Sequence, residues 1–400
     1  MREAYMLDFP VREYETRIQT LATLIREAGM DAAILTTKEN LLYFCGFQSL
    51  VWHSVVATPG LLIITADGKI SLLGSQSCYG TLVATSCIDE KDIYGCGNQK
   101  GSYALTFADA LGKLLGEKNL LKSKIGMEIG EGFRIHMTYP NLEATKNHLK
   151  DAQIMDVAPL LWKMRAIKSE AEMVYMRRVC QINCAMYDIA FNSVILGKTT
   201  EEDVFRTMAK AAFEMGCMAY DTMGIRSGAD RYGHGNSMPT PRIIGLDDNE
   251  MMLIDGGPGY KGYWSDIIRQ AVVGKPTELQ KEAYAYTVDL TEYALSIIKP
   301  GESIAEVVKK SEAYAAKHKK FYEYYSYPGG LGHSIGLEIH ELPWVKDSSD
   351  WVFQKNMCIA IEPTITIDGS GRFGIEQNIV VTDDGIEILS KMSTELIQLV

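Results

Sequence analysis

Little in this chain of 400 residues points to a membrane, a nucleic acid or an oxidised scaffold. No apolar run approaches the ~20 residues needed to cross a bilayer. The opening MREAYMLDFPVREYETR is charged and lacks the apolar stretch of a secretory signal. Positive charge is in deficit, 40 Lys and Arg against 51 Asp and Glu, and a net charge of −11 would repel a phosphate backbone. Neither a nucleic-acid nor a membrane partner is therefore expected. The eight cysteines never fall in CxxC spacing, and Cys45 and Cys358 lie in apolar runs. They read as reduced core thiols of a cytoplasmic protein. Glycine loops of the kind that cradle phosphates after a strand are missing, as are repeats of solenoid length. What is present is an ordinary globular composition, 46% apolar and 23% charged, on a chain long enough for two cores.

The first half reads as an α/β domain. Ile18, Leu21, Ile25 and Ala28 share one face of a helix expected over residues 13–28, with Gly29 as its stop. Residues 31–37 predict a buried strand, and residues 61–65 and 70–73 flank the turn Ala66-Asp67-Gly68. A helix is expected over 107–115 and a strand over 124–128. The boundary falls near residues 159–168, giving domains 1–160 and 161–400. Just beyond it, Ser169 and Glu172 form a capping box. Further helices are expected over 201–215, 278–298 and 304–318, alternating with hairpins.

Residues 251–269, MMLIDGGPGYKGYWSDIIR, predict one such hairpin. The apolar run 251–254 ends on Asp255, a Gly/Pro turn spans 256–262, and a second run, 263–268, carries Asp266. Burying an unpaired carboxylate is expensive, and the plain alternative is a turn aspartate plus a salt bridge to Arg269. Residues 358–381, CIAIEPTITIDGSGRFGIEQNIVV, predict a second hairpin, with strands 358–367 and 373–381 carrying Glu362 and Glu376. Between the two hairpins, GLGHSIGLEIHELP sets His333 in a glycine-flanked loop. Four carboxylates and an imidazole suit manganese, iron, cobalt or zinc better than a thiolate-seeking ion. Crowded without cations, four acids could not all stay ionised.

These segments resemble the pita-bread metallopeptidases, the family of methionine aminopeptidase, Xaa-Pro aminopeptidase, prolidase and creatinase. Its pattern is an Asp, a second Asp eleven residues on, a Gly-His-x-x-Gly histidine and two late glutamates. Asp255, Asp266, His333, Glu362 and Glu376 stand at those positions in order, in a match running from about residue 164 to the end. The resemblance implies an α/β (α+β) protein, with a creatinase-like α/β domain before a curved antiparallel sheet backed by helices. It implies two divalent metal ions, manganese first, with cobalt, zinc or iron as alternatives. Asp266 and Glu376 would bridge them, Asp255 would complete one site, and His333 with Glu362 the other. Glu362 would also serve as general acid or base. His234, in SGADRYGHGN, and His340, in IHELP, would contact substrate, steady the oxyanion or move a proton. His53, His136, His148 and His318 read as structural. The string WKMRAIKSEAEMVYMRRVCQI resembles the family's domain junction, where an arginine ends a strand. A homodimer is implied as well.

Having an N-terminal domain, the chain resembles the Xaa-Pro aminopeptidase, prolidase and creatinase branch, whereas methionine aminopeptidase lacks one. The expected activity is metal-dependent hydrolysis of an amide bond in a small peptide or small amide, by an Xaa-Pro aminopeptidase or dipeptidase. Two departures bear on substrate: Gly374 stands where the proline-directed pattern has arginine, the nearest being Arg372, and Ile268 replaces a threonine. The alternative is a small-molecule enzyme on the same scaffold. That could be a creatinase-like or ectoine-type amidohydrolase, or a metal-dependent dimethylsulfoniopropionate lyase. Creatinase has lost part of the ligand set, so five intact positions argue against a close copy. Loop 46–53 (GFQSLVWH) is a candidate pocket wall or, equally, an aromatic packing segment.

Overall fold

A computed structural model describes residues 1–54, 58–97, 103–228 and 238–400. His234 lies outside them. The chain falls into two units, Met1–Met164 and Arg165–Val400.

The first unit is built on one mixed sheet. Its strands are β1 (Ala32–Leu35), β2 (Gly60–Thr65), β3 (Ile70–Ser75), β4 (Ile93–Cys96), β5 (Lys124–Met127) and β6 (Gln153–Asp156), in the order β4-β3-β2-β1-β5-β6. β1 pairs antiparallel with β2 and parallel with β5. Around it run α1 (Val11–Glu27), α2 (Lys38–Cys45), α3 (Tyr79–Thr85), α4 (Tyr103–Glu117), α5 (Tyr139–His148) and α6 (Ala158–Arg165). Ile34, Ile63 and Ile125 pack against Phe107, Leu111 and Leu115 of α4, the apolar face that helical spacing calls for. In loop 46–53, Trp52 stands edge-on to His136 at 4.9 Å and tilted on Phe47 at 5.9 Å, which is the aromatic packing reading. His148 contacts Asp109 at 2.9 Å, and His318 of the second unit packs edge-on against Tyr286. One feature had no signal in the sequence. Glu128, buried just past β5, accepts five hydrogen bonds from the backbone and side chains of Thr36 and Thr37 and from Asn40. It braces the β1–α2 corner.

The second unit alternates helices and antiparallel strands, as expected. Helices α7 (Glu170–Asn192), α8 (Glu201–Glu214), α9 (Glu278–Ile297) and α10 (Ile304–Ala315) back its sheets. Ser169 and Glu172 close the capping box at the start of α7, satisfying amides that have no partner in the first turn. Arg165, however, ends a helix (α6) rather than a strand. One five-stranded sheet holds β7 (Ala219–Ser227), β8 (Met251–Tyr260), β9 (Tyr263–Trp264) and β10 (Ile267–Val273). A second holds β11 (Gly330–Ser334), β12 (Glu341–Lys346) and β13 (Cys358–Ile361), and β14 (Thr364–Ile367) pairs with β15 (Gly371–Gly374) as a separate hairpin. β16 (Gln377–Val381) and β17 (Ile386–Ile388) complete the second sheet, while β18 (Ile397–Leu399) joins the first, parallel to β10.

Both expected hairpins need correction. Residues 256–260, read as turn, continue β8 because β7 pairs with them on the far side, so the reversal tightens to Lys261-Gly262, both at positive φ. The strands expected over 358–367 and 373–381 are each broken, between β13 and β14 at Glu362-Pro363 and between β15 and β16 at Ile375-Glu376. Pro363 supplies no N–H for a ladder. The acids sit at the breaks.

Candidate metal centre

Sheet register brings the two aspartates together. Asp255 lies opposite Ile268 and Gly256 opposite Ile267. One step further, Asp266 falls beside Gly257, two residues from Asp255 and therefore on the same face. Gly257 is required there, since a Cβ would lie 1.9 Å from the Ser265 carbonyl oxygen. The glutamates follow the same logic. Ile361 pairs with Gln377, so Glu362 and Glu376 face each other one step on, where the hairpin leaves the sheet. His333 pairs with Ala360, two residues from Glu362 and on its face. Gly332, at φ 149, lets β11 approach β13, for a Cβ would stand 2.0 Å from the Ala360 oxygen.

The two sheets are stitched where these acids meet. The Glu376 amide donates to the Ile268 carbonyl at 3.3 Å. Asn378 accepts from the Asp266 amide and the Ser265 hydroxyl, each at 2.9 Å, and its own amide donates to the Asp266 carbonyl. Asn183 and Tyr187 of α7 hold the Gly256 carbonyl at 3.0 and 3.1 Å. Arg269 makes none of the salt bridge considered for it. Fully buried, it donates to the carbonyls of Ile268, Glu376, Met392 and Ser393 and to the Gln377 side chain. It clamps the sheet junction instead.

Five predicted ligands thus converge. Asp255, Asp266 and Glu376 form one trio, and His333, Glu362 and Glu376 another, with ligand atoms within 4.8 Å of one another in each. His333 Nε2 lies 3.7 Å from Asp266, 3.6 Å from Glu362 and 3.8 Å from Glu376. Its Nδ1 meets the Ser334 carbonyl at 2.9 Å, which places the proton there and leaves Nε2 as a lone-pair donor facing the acids. His333 Nε2, Asp266 Oδ1 and Glu376 Oε1 are buried without a hydrogen-bond partner. Such orphaned acceptors are costly, and divalent cations would satisfy all three. The residues fit the group.

Electrostatics agree. Burial, then Asp255 and Glu362, drive the Asp266 carboxyl well above its usual range, and burial with Asp266, Glu362 and Asp255 does the same to Glu376. Burial and Asp255 push Glu362 up to about 8, against the opposing pull of Arg372. Burial and His340 lower His333 to about 3, so its imidazole is neutral at physiological pH.

Above this floor opens a cavity of about 620 Å³. His340 lies at its edge, 4.3 Å from the His333 ring and close enough to form a third trio with Asp266 and His333. Trp344 and Lys346, Tyr327, Arg226 and Arg372 line the walls, and sequence reading missed all but the last. Arg226 carried a usable sign: it is a charge in the apolar alternation of β7, two residues from Gly224. Behind His340, Glu341 is buried with Arg165 and Lys168 and accepts the Leu337 amide at 2.9 Å, fixing the loop between β11 and β12.

The profile of metallopeptidase family M24 matches residues 174–383, and that of the Creatinase/Prolidase N-terminal domain matches residues 17–167. The chain is 25% identical to an Xaa-Pro dipeptidase of Lactobacillus delbrueckii subsp. lactis over 384 residues, 95% of this chain and 98% of that one. Among solved structures, an Xaa-Pro dipeptidase from Bacillus anthracis superposes with a TM-score of 0.81 at 25% identity, covering 96% of this chain and 100% of that one. The prolidase from Pyrococcus horikoshii OT3 gives 0.79 at 25% identity, with the same coverage. A family profile that spans all five convergent side chains, over more than half of the sequence, settles the class: the chain belongs to metallopeptidase family M24 and is an enzyme that uses divalent metal ions.

Proposed function

We propose that this metallopeptidase is dinuclear and cleaves small peptides of the Xaa-Pro class, with residues 161–400 as the catalytic domain. The observation that carries this reading is the pair of ligand trios sharing Glu376, with three buried acceptors lacking partners. Asp266 and Glu376 would serve both cations, Asp255 one, and His333 with Glu362 the other. Bound there, two divalent ions polarise a carbonyl and bring the pKa of water toward neutral. Manganese, a homodimer and a cytoplasmic setting belong to the same reading and rest on family resemblance and reduced cysteines. All eight cysteines are free.

The remaining work falls to side chains. Glu362 lines the cavity with a side chain more accessible than those of Asp266 and Glu376, so it can take a proton from water and return it to the leaving amine. Burial lowers the proton affinity of His340 against the opposing pull of Asp255, and its ring can donate an N–H to developing negative charge at the carbonyl oxygen. His234 shares that task by resemblance. Gly374 and Ile268 favour the second reading, a small-molecule amidohydrolase, because both depart from the proline-directed pattern.

Steady-state hydrolysis of Xaa-Pro dipeptides and tripeptides, against small quaternary and guanidino compounds, separates the two readings. Dipeptide cleavage that is lost on chelation and restored by manganese is expected. A metal-replete protein that leaves every peptide intact and consumes one of the small compounds would refute the peptidase reading.

A further inference from the structure

Glu201, the first residue of α8, is fully buried yet lines no part of the cavity. Enclosing a carboxylate is costly unless both oxygens find donors. Here both do, and each takes its donors from a different stretch of chain. One oxygen accepts the Ser227 amide at 2.7 Å and the Ser227 hydroxyl at 2.9 Å. The other accepts the Thr240 amide at 3.1 Å and the Thr240 hydroxyl at 2.9 Å. The helix start adds to the grip, because the first amides of a helix have no partner within it. Those of Glu201 and Glu202 donate to the carbonyls of Arg242 and Thr240, each at 3.1 Å.

None of this is needed to cap α8, whose capping box is closed by Thr200 and Asp203. What Glu201 joins is two parts of the cavity wall. Ser227 ends β7 directly after Arg226, which lines the cavity and donates to Asp255 Oδ2 at 3.2 Å. Thr240 lies two residues beyond Met238, which lines the same cavity and is exposed. Ser227 is also held by β8, opposite Met252, whereas Thr240 belongs to no strand. The place of Met238 therefore depends on the start of α8. An amide side chain cannot do the same work. Glutamine at 201 would set its NH2 against the backbone N–H of Ser227 or of Thr240, donor to donor, and release that end.

We propose that Glu201 is a positioning residue for the substrate cavity: acting through Ser227 and Thr240, it holds the Arg226 and Met238 walls in place above the metal floor. Its four donors belong to neither hairpin that carries the candidate ligands, so the walls can shift while the metals stay. The kinetic consequence rests on the peptidase reading. The positioning itself does not.

The test sets Glu201→Gln beside Glu128→Gln, which alters a carboxylate buried as deeply in the first unit. Both are loaded with manganese and assayed with alanyl-proline. Both should melt below the wild type and bind as much manganese. Only Glu201→Gln should raise KM, by about tenfold, with kcat changed far less. Thr240→Val removes a single donor and should move KM the same way by a smaller factor, and Thr240→Ser should restore it. An unchanged KM in Glu201→Gln, with only its melting temperature lowered, would overturn the proposal. If that variant does not fold, an unchanged KM in Thr240→Val would do so. A wild-type protein that leaves the peptide intact sinks the peptidase reading, and hydrogen exchange then decides the positioning, read on Glu201→Gln or, if that variant does not fold, on Thr240→Val. The variant should speed exchange in residues 223–228 and 238–244 while β10 and β16 keep their protection. Exchange that is unchanged, or faster throughout the second unit, would contradict it.

Discussion

Glu376 is the side chain on which both ligand trios depend. Its backbone is hydrogen-bonded to β10 while its carboxylate faces Glu362 across the β13–β16 ladder. Glu376→Gln keeps the shape and removes the charge. Metal analysis of the purified variant should therefore find fewer than two ions per chain, with peptide hydrolysis lost together with the metal. Glu362→Gln tests a different role, since a proton carrier at that position is worth about 10²–10⁴ in rate. Its kcat should fall by that order in protein that still binds manganese. Metal-free protein offers a pH test. Glu362 titrates near 8 in the fold, well above its unfolded value, so the protonated native state is favoured at low pH and that stability is lost as pH rises toward 8. Asp266 and Glu376 shift in the same direction. His333, lowered to about 3, acts oppositely, but only as pH falls below the ordinary histidine range. Between pH 6.5 and 8 these acids dominate, and stability of the chelated protein should fall by about 1.4 kcal/mol per pH unit for each carboxyl that stays protonated in the fold. Thermal melts with saturating manganese should remove or reverse that slope.

At the scale of elements, the site is a consequence of register. The candidate ligands come together, on strands or at their breaks, only because β8 runs on past Asp255 and because the 358–381 hairpin breaks at its two acids. Gly257→Ala should disturb the first feature, since its methyl would fall on the Ser265 carbonyl beside Asp266. The expected cost is about 1–3 kcal/mol in urea unfolding, with weaker metal binding. Asn378→Ala removes the clasp on the Asp266 backbone and should weaken metal affinity by about 10–100-fold, read by titration against a chelator. Much of this level was legible in the sequence. Caps and apolar spacing placed the start of α7, both ends of α8 and α9 to within a residue, and the start of α10, whose end comes three residues early, while residue type with order marked all five candidate ligands. Strand breaks were not legible, because Glu362-Pro363 interrupts an alternation that otherwise continues to Ile367. Nor was the true reversal at Lys261-Gly262, since a run of Gly and Pro reads as turn when the pairing partner β7 is unknown. Arg226 escaped for the same reason: which face of β7 lines a cavity is decided by tertiary packing.

For the whole molecule, metal binding and the fold are linked. Four crowded carboxylates, two of them buried, repel one another, so cations that bind only the native arrangement stabilise it by mass action. Ligand at about a hundred times its dissociation constant contributes roughly 2.7 kcal/mol per site. Chelation should therefore lower the melting temperature of the second unit, and restored manganese should raise it. Within the described residues no helix is long and apolar enough to cross a membrane.

Anomalous scattering from a manganese-soaked crystal tests the central claim most directly. Two peaks are expected, one among Asp255, Asp266 and Glu376 and one among His333, Glu362 and Glu376, a few ångströms apart. An empty map between those side chains, or a single ion that leaves Asp255 or His333 without a role, would contradict it.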